Sequence, residues 1–476
     1  ADGPQGTLTH AHSVAPTTFN PHADQRNVSL QYLMPMYETL IQQTPDGTDF
    51  VPLLASAWEE SPEGITFTLR EDVVFHDGAA FNADVVVTNF DHVKESGHPV
   101  LKGFLRNVES AEALDEYSVR FNFSEVDPTF LYTFSRFAGM QISPNALETA
   151  ADTPVGTGPY ILNADKSSED RVTLVFEPFA DYWNPDAQGV ARYEHIYVAE
   201  GSARTNALLS GDVNTATIGG GPSVRPTLED QGMEVQAIQT TGWGLVVIDR
   251  NGNTVPEFAD ERVRRAISMA INRDAFFQIS DIGFPSAQRS MPNMYGHSAD
   301  LEMGYDLEAA KALMAEAGVS ELTVTAPIRP VFQRRYTPVV SMLAEIGITV
   351  ELQPIEGNYQ REACQSDSFP LVICPINEGH IKHYIENRLL PTSAFNPQGY
   401  EDADIVALYE EAIAETDAAK AESLYAEISK LSVERGYINF IGWGSTSLTL
   451  NPDTVNGAEM RFLMPGTYDL RGVTVK

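Results

Sequence analysis

Residues 306–352 read DLEAAKALMAEAGVSELTVTAPIRPVFQRRYTPVVSMLAEIGITVEL, and two periodicities alternate within them. A helix is expected from about Asp306 to Ala317, closed by Gly318, and a second from about Thr337 to Ile346, closed by Gly347. Between them Leu322-Thr323-Val324-Thr325 reads as a strand, and another follows from Ile348 to Leu352. Strands alternating with helices of this length predict an α/β unit with some parallel pairing over about 240–445. Upstream, Val263, Ala266, Ile267, Ala270 and Ile271 fall at i, i+3, i+4, i+7 and i+8 of a helix from about Asp260 to Arg273, with Asp260 as its N-cap. Acidic helices from about Ile405 to Thr416 and Ala418 to Arg435 complete the unit.

The first half is mixed α and β. Thr7-Leu8-Thr9 and Thr66-Phe67-Thr68-Leu69 read as strands, and His76-Asp77-Gly78 marks a tight turn. The apolar spacing of Leu33, Met34, Tyr37, Leu40 and Ile41 predicts a helix over Leu30 to Ile41. Phe81-Asn82-Ala83-Asp84 reads as an Asn-capped start of another, running on through Val85 to Val93. With no internal repeat and no Pro- or Ser-rich linker, the domains are expected to join through strands or short turns.

The 476 residues suffice for two or three domains. Lys and Arg number 31 against 66 Asp and Glu, a net charge of -35 that repels nucleic acid and anionic lipid headgroups. No apolar run approaches the ~18 residues of a spanning helix. The two cysteines, Cys364 and Cys374, exclude a disulfide framework or thiolate metal cage and are free to pair with each other. The opening Ala1-Asp2-Gly3-Pro4 fits a mature exported product.

Catalytic signatures that need fixed spacing are missing: there is no Gly-x-Ser-x-Gly, His-Glu-x-x-His, Walker A or Cys-x-x-Cys. Gly156-Thr157-Gly158-Pro159 and Gly219-Gly220-Gly221-Pro222 resemble phosphate loops superficially, but each proline removes a donor that an anion would need. His10 and His12 share one side of a strand, with His22 nearby, but no acid or cysteine completes a metal set, so they read as polar residues on an accessible face.

Several stretches, in order, resemble the family 5 extracellular solute-binding proteins of ABC importers, which include dipeptide-, oligopeptide-, opine- and nickel-binding members. They are Thr18-Phe19-Asn20-Pro21-His22, Tyr37-Glu38-Thr39-Leu40, Pro52-Leu53-Leu54-Ala55-Ser56-Ala57-Trp58, Thr66 to Arg70 and Val74 to Gly78. Then come Val155 to Tyr160, Asp181-Tyr182-Trp183, Asp260 to Arg273, and Tyr305-Asp306 with Ala309 to Leu313. The resemblance implies a two-lobed α/β periplasmic-binding-protein fold of the class II type with a hinge of two crossover strands. One lobe would hold residues 1–240 and 447–476, with an inserted subdomain at about 42–155, and the other 241–446. It further implies a monomeric, exported receptor, periplasmic or lipid-anchored in precursor form, without catalytic residues, cofactor or metal. Such a receptor encloses a small solute and passes it to an ABC permease in the inner membrane.

A di- or oligopeptide is the solute expected first, an opine-like or metal-chelate ligand second; a secreted hydrolase would instead turn its ligand over. By position in the family pattern, Asp24, Gln25 and Asn27 lie beside the cleft. Trp243, flanked by Thr241, Gly242 and Gly244, is either a stacking wall or buried against the hinge. Arg136, alone in an apolar run, is either a ligand-carboxylate clamp or the partner of a structural acid. In Cys374 to Tyr384, Ile376 stands where peptide-binding relatives carry a Trp; Glu378 offers a carboxylate for a ligand ammonium and His380 or His383 an imidazole, or the loop is simply solvated. Thr392-Ser393-Ala394-Phe395 offers no His at the place where nickel-chelate relatives have one, which disfavours bare metal, and Phe395 is counted among the ligand-binding residues.

Overall fold

The computed structural model describes residues 3–219, 223–280 and 283–476; Gly220, Gly221 and Pro222 of the second glycine-rich stretch lie outside the described residues. The chain forms two compact units: unit 1 comprises Ala1–Ile238 and Thr446–Lys476, and unit 2 comprises Gln239–Ser445.

Unit 1 is built on a seven-stranded mixed sheet. Thr7–His12 lies at its centre, parallel to Arg192–Tyr197 on one side and to Thr215–Ile218 on the other. Ser447–Leu450 reaches this sheet only after the chain has traversed unit 2, and pairs antiparallel between Thr215–Ile218 and Glu234–Gln236. A second, antiparallel sheet orders Ala55–Ser61, Gly64–Leu69, Ser118–Phe123 and Val108–Asp115, and packs Phe67 and Phe121 against Phe130. The Ala83–Ser96 helix starts as expected, with the Asn82 side chain accepting from Val85 N at 3.1 Å.

The helix expected over Leu30 to Ile41 is cut short. It spans Leu30–Leu33, and Ile41 already belongs to the Ile41–Gln43 strand. Pro35 has no N–H to continue the ladder. The apolar residues still pack inward: Leu33, Tyr37, Leu40 and Ile41 are all buried.

In unit 2 an antiparallel sheet runs Gly283–Pro285, Ile438–Gly444, Thr241–Val247, Leu371–Ile376. The expected parallel pairing is found between Leu322–Ile328 and Ile348–Pro354, linked by the Gln333–Ala344 helix, which begins a turn before the expected Thr337. Asp260, Asp306, Asp402 and Asp417 each accept backbone N–H groups at a helix start. The Glu261–Ala270 helix buries Val263, Ala266, Ile267 and Ala270, and a separate helix, Arg273–Ser280, follows it.

Cys364 and Cys374 form a buried disulfide across a sequence separation of 10. Closing a loop of this length should contribute about 3 kcal/mol by limiting the unfolded chain. The double replacement Cys364→Ala, Cys374→Ala is therefore expected to lower the stability of unit 2 by that order in urea unfolding. A loss below ~1 kcal/mol would mean that loop closure is not what the bond supplies.

Candidate functional site

The residues expected to meet ligand in unit 1 form one loop and its support. Asp24 is buried, and its carboxylate accepts from Gln25 N, Arg26 N, the Arg26 guanidinium and Ser29 Oγ. Burial alone would raise its pKa, but the Arg26 and Ser29 hydrogen bonds outweigh that and hold it below the usual carboxylate range. Asp24 thus fixes the loop, while Gln25 is exposed and Asn27 half-buried.

Arg136 does not find the acidic partner that one sequence reading gave it. It is 5% exposed, and its Nη2 donates to Gln43 Oε1 at 3.1 Å and to Phe462 O at 2.9 Å. Asn27 Oδ1 lies 3.5 Å from Nη1 and the Tyr132 ring 4.7 Å from the guanidinium. Its hydrogen-bond partners are all neutral, and burial lowers its pKa.

In unit 2 the first residues of Thr241–Val247 pair with the last of two strands, Gly242 with Ile376 and with Trp443, and Trp243 with Pro375. Glycine at 242 is required by close approach: a Cβ there would sit 2.1 Å from Ile376 O. Trp243 is 5% exposed, with Phe332 and Tyr336 edge-on to its ring and the Arg335 guanidinium 4.4 Å from it. It is therefore embedded in unit 2, under a cation.

That cation belongs to a segment that carries no recognisable motif. Arg329, Arg334 and Arg335 fall within seven residues, and no acid occurs between Arg329 and Glu345. In a chain of net charge -35 this run is the signal that would have found it. Arg329 and Arg334 are exposed and form no ion pair among the described residues, and Val331 beside them is 76% exposed. Arg329 lies over Tyr359, whose hydroxyl is within hydrogen-bond distance of Pro327 O (2.9 Å) and Ile373 O (2.6 Å). Tyr359 so ties the ends of Leu322–Ile328 and Leu371–Ile376 together.

Beyond the second of these strands stands Glu378. The solvated-loop alternative does not hold, because its side chain is 8% exposed and pairs at 2.8 Å with Arg388, itself 2% exposed. Arg388 Nη2 donates to Pro375 O, its guanidinium lies 4.2 Å from the Phe395 ring, and Arg289 donates to Glu378 O. Glu378 Oε2 and Arg388 Nη1 are buried with no hydrogen-bond partner among the described residues. His380 caps the Ile381–Arg388 helix, its Nδ1 accepting from Lys382 N at 3.2 Å, and stacks on Tyr295. Burial and then His383 depress its pKa, so it is a neutral cap and not a cationic ligand contact.

The histidines of the first strand depart most from expectation. His10, His12 and His195 are fully buried, not on an accessible face, and their ring centroids lie 5.3–5.8 Å apart. Among the described residues no group of three or more His, Cys, Asp or Glu is placed to hold a metal ion, and no helix is long and apolar enough to cross a membrane. Gly158 N donates to Met36 O and a Cβ on Gly156 would meet Met36 O at 2.0 Å, so this glycine pair serves close packing of the backbone.

A sequence model of the family described as bacterial extracellular solute-binding proteins, family 5 Middle, matches residues 49–380. The chain is similar to the di/tripeptide-binding protein 3 of Pseudomonas aeruginosa (strain UCBPP-PA14), 27% identical over 376 residues that cover 69% of this chain and 68% of that protein. Among solved structures it is similar to HbpA2 from Haemophilus parasuis, with TM-score 0.85 and 20% identity over 99% of this chain and 100% of that one. It is also similar to MppA, a periplasmic murein tripeptide binding protein in its unliganded open form, with TM-score 0.82 and 18% identity over 100% and 99% of the two chains. These likenesses give the fold, which is that of the periplasmic binding proteins.

Proposed function

Because the chain belongs to the bacterial extracellular solute-binding proteins of family 5, we propose that it captures a short peptide outside the cytoplasm and delivers it to the permease of an ABC importer. The peptide-binding relative supports that solute class. The Cys364–Cys374 disulfide suits an oxidising compartment.

One observation carries the peptide reading. Two opposite and incompletely satisfied charges, Arg329 and Glu378, follow the ends of neighbouring strands joined through Tyr359. A zwitterionic peptide has the complementary pair: its carboxylate suits the free guanidinium of Arg329, and its ammonium suits the spare oxygen of Glu378. In this reading Trp243 under Arg335 is an aromatic wall, while Phe395 and His380 position Arg388 and the helix start. From unit 1 we assign Gln25 and Asn27 to ligand contact, with Asp24 and Arg136 as their supports.

The test is calorimetry with a dipeptide, its N-acetyl form and its C-terminal amide. Loss of one charge-assisted hydrogen bond is worth about 1.5–3 kcal/mol, or roughly 10- to 150-fold in affinity. Arg329→Gln should weaken the free dipeptide and the N-acetyl form by that factor while leaving the amide, already weak, unchanged. Glu378→Gln should do the same for every form with a free amine and spare the N-acetyl form. Equal binding of all three forms by the native protein would remove both assignments.

A further inference from the structure

Unit 1 contains an open crevice of about 470 Å³ lined by Arg70, Trp183, Arg461 and Arg471 together with Gln42, Glu459 and Asp469. Its acids are unequal. Asp469 accepts from Gln42 Nε2 and, through both oxygens, from the Arg471 side chain, while Arg471 Nη1 donates to Glu38. Arg471 is the ion-pair partner of both acids, and Asp469 reaches Arg461 only through its longer-range charge.

The other two guanidinium groups are not so paired. Arg70 donates from Nε to Leu53 O at 2.6 Å and lies 4.2 Å from the Trp183 ring; among the described residues its Nη atoms have no partner and it forms no ion pair. Arg461 is 6% exposed, donates from Nη2 to Gln43 O and likewise forms no ion pair among the described residues. Arginine carries five N–H donors, so each keeps several unused. Arg461 also borders a small cavity of about 20 Å³, room for about one water, whose two lone pairs are too few for those donors. Burial pulls Arg461 down to about 10; Asp469 and Glu459 oppose the fall, and the like charges of Arg471 and Arg136 add to it. Glu459 is exposed and makes no ion pair among the described residues.

We propose that this crevice is an oxyanion site, in which Arg461 and Arg70 bind a small carboxylate or phosphate by charge-assisted hydrogen bonds. Two cations without acidic partners, one of them nearly dry, converge here on a chain with net charge -35. Apolar Leu53, Pro52 and Pro45 complete the walls, leaving space for a few carbon atoms beside the anionic group. The site lies wholly within unit 1, and neither Arg461 nor Arg70 is among the peptide contacts proposed above.

The experiment measures thermal unfolding of the whole chain at pH 7 and constant ionic strength, replacing chloride stepwise by phosphate or by succinate. A site on the native state should give a saturable rise in Tm of about 2–4 °C. The anion that saturates at the lower concentration identifies the source, inorganic or organic. Arg461→Gln and Arg70→Gln should each raise the half-saturating concentration at least tenfold, whereas Glu459→Gln, removing a competing negative charge, should lower it. That opposite sign would not arise if Arg461 served packing alone. If Arg461→Gln fails to fold, half-buried Arg70 and exposed Glu459 carry the test. A rise that never saturates, or one unchanged in the variants, is a general salt effect on the folded state and would overturn the proposal.

Discussion

Acidification from pH 7 toward pH 4 should remove several kcal/mol of stability from unit 1, in a transition steepest below pH 6.5. His10 and His12 lie on one strand and His195 on its parallel neighbour, with His10 and His195 in direct register. Around them stand the Thr215 and Thr217 hydroxyls, Tyr32, Tyr193 and Tyr468. The charged group acting on His10 and His12 is Arg204, which disfavours another cation. Burial is the main cause in every case: it lowers His12 to about 4 and puts His10 and His195 well below 6.5. His22, lowered to about 3, and His76, lowered to about 4, act in the same sense.

The sign follows from the depressed values. Above pH 6.5 both states carry neutral imidazole and stability is complete. Below it the unfolded chain takes up protons that the folded one refuses, so stability falls until the folded groups titrate near pH 4. For His12 alone the displacement corresponds to about 3 kcal/mol, a large share of a typical domain stability. Glu38, which burial raises, gains stability on acidification and opposes the trend, while Asp469, held at about 2, loses its contribution only below pH 3.8. Urea unfolding followed from pH 7 to 4 checks the slope, and His195→Phe, which fills the site with a ring that cannot titrate, should flatten it. A slope unaltered by that replacement would clear the cluster of responsibility.

Glu38→Ala should be the most damaging single replacement in unit 1, costing about 3–5 kcal/mol. The carboxylate is 1% exposed. Its Oε1 accepts from Tyr182 OH at 2.7 Å and Arg471 Nη1 at 3.0 Å, and its Oε2 from Thr157 Oγ1 at 3.0 Å and Trp183 Nε1 at 3.1 Å. Truncation takes the acceptor from four donors, two of them on buried Tyr182 and Thr157, and opens a void. Glu38→Gln keeps one acceptor oxygen and should cost less. Chemical denaturation separates the two variants, and a loss under ~1 kcal/mol for the alanine variant would contradict this view of the network.

How much of this could be read in advance depended on how local each feature is. The caps Asn82 and Asp260 and the apolar faces they introduce were legible because a helix start is decided within four residues. The same periodicity misled at Leu30 to Ile41, where Pro35 overrides the spacing and the apolar residues pack inward from a turn and a strand. Strand alternation placed His10 and His12 on one side, but which side is covered depends on Tyr32, Tyr468 and His195, far away in the chain. Glu378 was legible, but not its partner Arg388: a separation of ten residues matches no local rule and is bridged only by the length of the Ile381–Arg388 helix, at whose end Arg388 lies. Arg329 differs again, since it belongs to no motif and only the sign of the local charge marks it.

The late return of Ser447–Leu450 to the sheet of unit 1 also orders events in time. While the polypeptide is being synthesised, Glu234–Gln236 has no neighbour to pair with, and Arg471 is not yet there to meet Glu38. Unit 2, whose strands all lie between Gln239 and Ser445, can assemble as soon as its own residues have emerged, whereas the unit begun first is finished last. Until that final segment is released, the sheet of unit 1 lacks the strand that joins Thr215–Ile218 to Glu234–Gln236, so completion of unit 1 waits for the end of synthesis.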